Sequence, residues 1–169
     1  MKINVKKEFL VFLGIAFAIF SCKFNPNVQE KGADYLQGIW KQEKVMYQDQ
    51  LLNYALHTLT FTCDSFYLVL DTHAKMNIYP DSCFNNGHWT EYVKGEYLVD
   101  RDTLHLSGTF TKPNYKQKIS GCYRTGQYFG TFIIQKQKHN VLSLQDISQH
   151  LPIELFLQQS IVCSPKPIK

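Results

Sequence analysis

Beyond residue 37, apolar and polar positions alternate with a period of two along most of the chain. Gly38-Ile39-Trp40 opens a first predicted strand, expected to run to about Met46. In 56–62, Leu59 and Phe61 fall on one side and Thr58, Thr60 and Thr62 on the other, and Cys63-Asp64-Ser65 makes a turn cluster. Phe66, Leu68 and Leu70 share the next face, and Val93, Gly95, Tyr97 and Val99 the one after. Asp100-Arg101-Asp102 turns the chain into Leu104, Leu106 and Phe110. Tyr128, Phe132 and Ile134 line a further strand. Lys138-His139-Asn140 turns it into Leu142 and Leu144, and Ile153, Leu155 and Leu157 complete the series. Short stretches with one apolar face, separated by short polar turns, specify an antiparallel sheet buried on one side. About eight of them predict an all-β fold, an antiparallel up-and-down barrel whose closure removes exposed edges. A β-sandwich is the alternative.

The N-terminus has a different pattern. Lys2, Lys6 and Lys7 precede an uninterrupted apolar run from Phe9 to Phe20. A membrane-spanning helix needs about 20 apolar residues and a signal-peptide core about 7–15, so the run reads as a signal peptide over 1–21. It ends in Ile19-Phe20-Ser21-Cys22, which resembles the bacterial lipobox. That resemblance implies lipidation of Cys22 by a diacylglyceryl group and a palmitate-type N-acyl chain. More than one chain makes such anchoring stable. Residues 22–34, polar and carrying Pro26 and Gly32, read as a lipidated flexible tether. Residues 35–163 form the predicted barrel and 164–169 a C-terminal tail. The localisation expected is the cell envelope, the outer membrane in preference to the inner. No acidic run follows Cys22, which points to a periplasm-facing anchor.

The chain has 169 residues and a formal net charge of +4. Without residues 1–21, which carry Lys2, Lys6, Lys7 and Glu8, the charge falls to +2. The only arginines are Arg101 and Arg124. Nucleic-acid footprints are clustered and strongly basic, so no nucleic-acid partner is expected. Five cysteines are an odd number for an exported protein. Lipidation of Cys22 leaves Cys63, Cys83, Cys122 and Cys163. In an oxidising compartment these read as two disulfides, and their wide spacing lacks the CxxC pattern of zinc sites. Counting alone allows three pairings.

Leu36-Gln37-Gly38-Ile39-Trp40 resembles the Gly-x-Trp opening of lipocalins and related small barrels, which implies that Gly38 and Trp40 help close one end. Lys94-Gly95-x-Tyr97 and Thr103-Leu104-x-Leu106 also resemble lipocalin-like lipoprotein domains. Residues 35–163 are similar in layout to a group of small Bacteroidota lipoproteins. The likeness rests on Thr62-Cys63-Asp64-Ser65-Phe66-Tyr67, Gly87-His88-Trp89-Thr90-Glu91-Tyr92 and Cys163-x-Pro165-Lys166-Pro167. Members of that group have no well-defined activity, and some carry the name fumarate hydratase. The fumarase signature, a Gly-Ser-Ser loop followed by Met-Pro-x-Lys-x-Asn, does not occur here.

Parity then selects the disulfides. In an up-and-down barrel successive connections alternate between the two ends. The turns at Cys63, Asp100–Asp102 and Lys138–Asn140 share one end, and longer loops at about 47–54, 73–90, 111–127 and 148–152 share the other. Cys83 and Cys122 lie in two long loops, and the final strand carries Cys163 back towards Cys63. The expected pairs are Cys63–Cys163 and Cys83–Cys122.

Function-bearing loops sit on rigid scaffolds, so a ligand is expected at the long-loop end. The candidate ligand-facing residues there are Tyr79, His88, Trp89, Tyr92, Tyr115, Tyr123 and Arg124, with His73 near the mouth; aromatics with one arginine suit a small anionic or ring-bearing ligand. The alternative is that they pad the Cys83–Cys122 bridge. His73 and His88 lack a partner at HxH or HxxxH spacing, so scattered surface histidines and no metal are expected. Glu91 and Glu96 are candidates for a general base, but nothing in the sequence argues a raised pKa, and solvated cross-strand carboxylates are the default reading. Ser65, Ser107 and Ser143 have no nucleophile-elbow context, and no phosphate-binding or dinucleotide loop is present.

No catalytic residue and no cofactor are therefore assigned. Three functions remain: a monomeric binding module for a small apolar or amphipathic molecule, a structural lipoprotein acting on another envelope protein, or an enzyme such as the hydratase of the group's naming. Gly95, Gly108 and Gly130 leave interior space, while Phe61, Phe66, Tyr97, Phe110, Tyr128 and Phe132 fill it. An eight-stranded interior is either just filled or holds one small ligand. The aromatic count favours a largely filled core.

Overall fold

The alternating stretches become eight strands in the computed structural model, which describes residues 28–77, 79–148 and 151–167. The strands are β1 (Gly38–Lys41), β2 (Asn53–Thr62), β3 (Ser65–Ala74), β4 (His88–Asp100), β5 (Thr103–Thr111), β6 (Gln127–Lys138), β7 (Val141–Asp146) and β8 (Pro152–Ser160). Each pairs antiparallel with the next, and β1 also pairs with β8, closing the barrel. The signal-peptide reading and Cys22 fall outside the described residues.

The parity argument holds. Two-residue turns at Cys63-Asp64 and Arg101-Asp102, together with His139-Asn140, join strands at one end. In the first two turns the leading residue adopts a left-handed backbone, with φ of 54° at Cys63 and 56° at Arg101. The longer connections lie at the opposite end, and the structure contains both expected bridges, Cys63–Cys163 and Cys83–Cys122.

The short-turn end is packed solid. Leu36, Trp40, Phe61, Phe66, Leu68, Val93, Leu104, Leu106, Leu142, Leu144 and Leu155 are buried there in one apolar cluster. The Trp40 indole N–H donates to the Leu36 carbonyl at 2.7 Å. Gln37 acts as a polar plug. Its Oε1 accepts the Cys63 N–H at 2.6 Å, and its Nε2 donates to the Cys63 carbonyl at 2.9 Å and to the Tyr97 hydroxyl at 2.8 Å. Every polar atom of this buried amide is thus satisfied, as burial requires.

Three expectations are corrected. β1 ends at Lys41 rather than near Met46, because the chain leaves the sheet after Gln42 and Tyr47 turns left-handed, with φ of 57°, into a short 3₁₀ turn at Gln48–Gln50. Residues 30–34, assigned to the tether, belong to the barrel unit spanning Glu30–Pro165. The Glu30 N–H donates to Asp64 Oδ2, the Ala33 N–H donates to the Tyr97 hydroxyl, and Asp34–Leu36 form a 3₁₀ turn. Separately, Val28 pairs with Pro167, and the Gln29 N–H donates to the Lys166 carbonyl. Finally, Gly95 and Gly108 leave no space. They face each other across β4 and β5, where a Cβ on Gly95 would fall 2.0 Å from the Ser107 carbonyl oxygen. These glycines allow the strands to approach closely.

Candidate functional site

The aromatic residues expected to fill the barrel pack into its core without filling it up to the long-loop end. Towards the long-loop end the interior opens into a cavity of about 660 Å³. Its wall includes Ala55, His57, Leu70, Thr72, Gly130 and Ile153 on the strands, with Tyr79 and Arg124 from the loops. Period-two alternation places these strand residues inward, continuing the faces that carry the core below.

Glu91 is the buried carboxylate of this wall. It lies on the inward face of β4 with Trp89, Val93 and Tyr97, and its side chain is only 2% exposed. It is not the solvated carboxylate expected. Arg124 descends on it from the loop between β5 and β6. Arg124 Nη2 donates to Glu91 Oε2 at 2.7 Å, and its Nε and backbone N–H each donate to Oε1 at 3.0 Å. The Trp89 indole adds a fourth donor at 3.3 Å. Burial pushes the Glu91 pKa up, but the hydrogen bonds and charge of Arg124 outweigh it and hold the carboxyl below its ordinary value. The Arg124 guanidinium also lies 4.9 Å from the centre of the Phe110 ring. Glu96, the other carboxylate considered, is exposed on the outer face.

The loop backbone directs adjacent side chains onto different targets. Tyr123 is left-handed, with φ of 68°, so Arg124 reaches Glu91 while Tyr123 stacks on Trp89 with ring centres 5.1 Å apart. Tyr79 meets both rings edge-on at 5.3 Å. Lys118 lies over the Tyr123 ring and donates to the Cys122 carbonyl. The Cys83–Cys122 bridge ties the two loops that supply this aromatic lid. Padding around the bridge and lining of the mouth are therefore one arrangement.

His57 and Asp146, which the sequence did not single out, and Tyr128, expected only as core filling, complete the wall. His57 faces the cavity from β2. Gln42 Oε1 accepts the His57 backbone N–H at 3.2 Å and lies 2.9 Å from Nδ1. An acceptor at that position places the ring hydrogen on Nδ1 and leaves Nε2 as an acceptor. Burial lowers the His57 pKa to about 4, so the ring is neutral at ordinary pH. Tyr128, on β6, has its hydroxyl pKa raised to about 12 by burial. Asp146, at the end of β7, accepts hydrogen bonds from the Ser148 N–H and hydroxyl. Nothing in the local sequence marks His57 as special. Its inward position follows from the same alternation as Leu59 and Phe61, continued two residues further.

The remaining predicted residues separate from this site. Tyr92 and Tyr115 meet on the outer face, where Tyr115 also packs edge-on against Tyr67. An inward neighbour at Glu91 forces Tyr92 outward. His88 also points outward, but it is not scattered. Register pairs it directly with His73 across β3 and β4, beside Asp71.

Comparison with family models, with curated proteins and with solved structures finds no match to this chain.

Proposed function

We propose that this protein is an envelope lipoprotein, anchored through Cys22, whose barrel binds a small, uncharged, ring-bearing amphipathic molecule at the long-loop end. The observation that carries the binding reading is a cavity combining apolar walls with polar groups that have no protein partner. Thr72 Oγ1 is buried without a hydrogen bond. Among the described residues His57 Nε2 and the Tyr128 hydroxyl also have none. Apolar pockets with a few convergent polar groups are the usual form of small-molecule sites. The stacked Trp89 and Tyr123 with Tyr79 supply flat surfaces for a ring at the mouth.

Charge sets the ligand class. The wall carries two carboxylates, Glu91 and Asp146, and one guanidinium, which Glu91 already neutralises. An anion would meet net negative charge, so a neutral ligand fits best. The same balance weighs against the hydratase reading, although His57, Glu91 and Asp146 do share one cavity. A dicarboxylate substrate would enter against Asp146, and Glu91 is committed to Arg124. Purified protein is expected to show no fumarate-to-malate turnover.

Native mass spectrometry of protein from its own host tests the proposal, because it reports lipidation and any retained molecule together. With recombinant protein, the uncharged probe N-phenyl-1-naphthylamine is expected to gain fluorescence on binding. Ala55→Trp, which fills the cavity from β2, should abolish that gain while preserving the far-UV spectrum. No retained molecule together with no probe binding would overturn the binding reading.

A further inference from the structure

The outer face of the hairpin formed by β3 and β4 carries a second arrangement, independent of the cavity. Asp71 and His73 are two residues apart on β3, so both side chains leave the same face of the strand. His88 opens β4 directly across from His73. The two imidazoles stack with ring centres 4.4 Å apart and planes 17° apart. Both turn the same atom to one carboxylate: His88 Nε2 lies 2.6 Å from Asp71 Oδ1, and His73 Nε2 lies 3.7 Å from Oδ2. Tyr54 stacks on the far side of His73 at 5.0 Å and limits its ring rotation. One ligand atom from each of the three residues lies within 4.8 Å of the others.

We propose that Asp71, His73 and His88 form a surface site for a divalent transition-metal ion, Zn²⁺ being the ion best suited. Two imidazole nitrogens and one carboxylate oxygen are the donor set of zinc sites that retain an open coordination position. Tetrahedral bonds of about 2.0–2.2 Å require donor atoms about 3.3–3.5 Å apart. The observed spread closes to that value by side-chain rotation, with no change in strand register. In the bound state each imidazole ligates through Nε2 and keeps its hydrogen on Nδ1, so the ion takes the place of the hydrogen that links His88 Nε2 to Asp71 Oδ1. Three protein ligands leave at least one position for water or an external donor. Asp71 and His88 also line an outer groove of about 580 Å³ with Lys41, Glu43 and Gln158, which gives that donor room.

Titration of tag-free, full-length protein with Co²⁺ tests the site, read by visible d–d absorption and followed by displacement with Zn²⁺. One equivalent is expected to bind, and Zn²⁺ to abolish the bands. His73→Ala and His88→Ala should each weaken binding by more than about tenfold, since even residues behind the ligands contribute that much. His105→Ala and His139→Ala, altering histidines elsewhere on the barrel, should leave it unchanged. Asp71→Asn preserves shape while removing the charge and should also weaken binding. The three proposed ligands are exposed or half-exposed, so an unchanged far-UV spectrum is expected for each variant. Absence of saturable binding, or full affinity in His73→Ala and His88→Ala, would overturn the assignment.

Discussion

Replacing Arg124 with Met removes the guanidinium from Glu91 while keeping a long apolar stem over Phe110. The carboxylate then keeps two of its donors, the residue-124 backbone N–H at 3.0 Å and the Trp89 indole at 3.3 Å. It loses the side-chain bonds at 2.7, 3.0 and 3.2 Å. Removing one partner of a fully buried pair costs about 3–5 kcal/mol, because a desolvated charge is left behind. Here the Arg124 side chain is 48% exposed, so water already screens part of the pair, and about 2–3 kcal/mol is the better figure. That corresponds to a Tm lower by about 8–12 °C at about 4 °C per kcal/mol, or a urea midpoint lower by about 1–2 M.

The pH dependence identifies the cause. In the wild type Arg124 holds the Glu91 pKa below its ordinary 4.5, so the pair's contribution is complete above that value. It is lost as pH falls through the folded-state pKa. In Arg124→Met burial acts with much less opposition and moves the Glu91 pKa the other way. The charge then penalises folding at neutral pH, and the penalty fades as the carboxyl protonates. Urea unfolding near pH 7 and near pH 4 should therefore show a wild-type-to-variant gap that narrows on acidification. Equal gaps at the two pH values, or a gap under about 1 kcal/mol at neutral pH, would refute the reasoning.

Two further outcomes are expected. His57 should titrate near pH 4 by NMR, and because the unfolded ring protonates at about 6.5, stability should fall between those values by up to about 3 kcal/mol. His57→Leu should flatten that limb, and a ring midpoint near 6.5 would contradict the buried placement. Gln37→Leu should lower unfolding free energy by about 2–4 kcal/mol, because the Cys63 N–H and carbonyl lose their partner at the closed end. A loss under about 1 kcal/mol would show that water replaces the amide.

The barrel was legible because its signals are local and periodic. Inward Leu59, Phe61, Phe66 and Leu68 alternate with outward Thr and Tyr, and short polar turns fix the parity of the ends. Parity in turn dictated both disulfides, since a closed antiparallel cylinder leaves one partner within reach for each cysteine. Tyr79, Trp89, Tyr123 and Arg124 were legible as a loop-end set for the same reason.

What the tertiary structure alone decided is which polar residues meet. Glu91 and Arg124 are 33 residues apart, and only the loop between β5 and β6 folding over the mouth turns a surface-looking carboxylate into a buried ion pair. His57 sits among residues that look like any other strand, and its desolvation comes from distant walls. His73 and His88 lie 15 positions apart, outside any local metal spacing, and it is strand register that sets them face to face. Alternation records which face a side chain takes. Register and loop closure, which depend on pairings summed over the whole sheet, determine what it finds there.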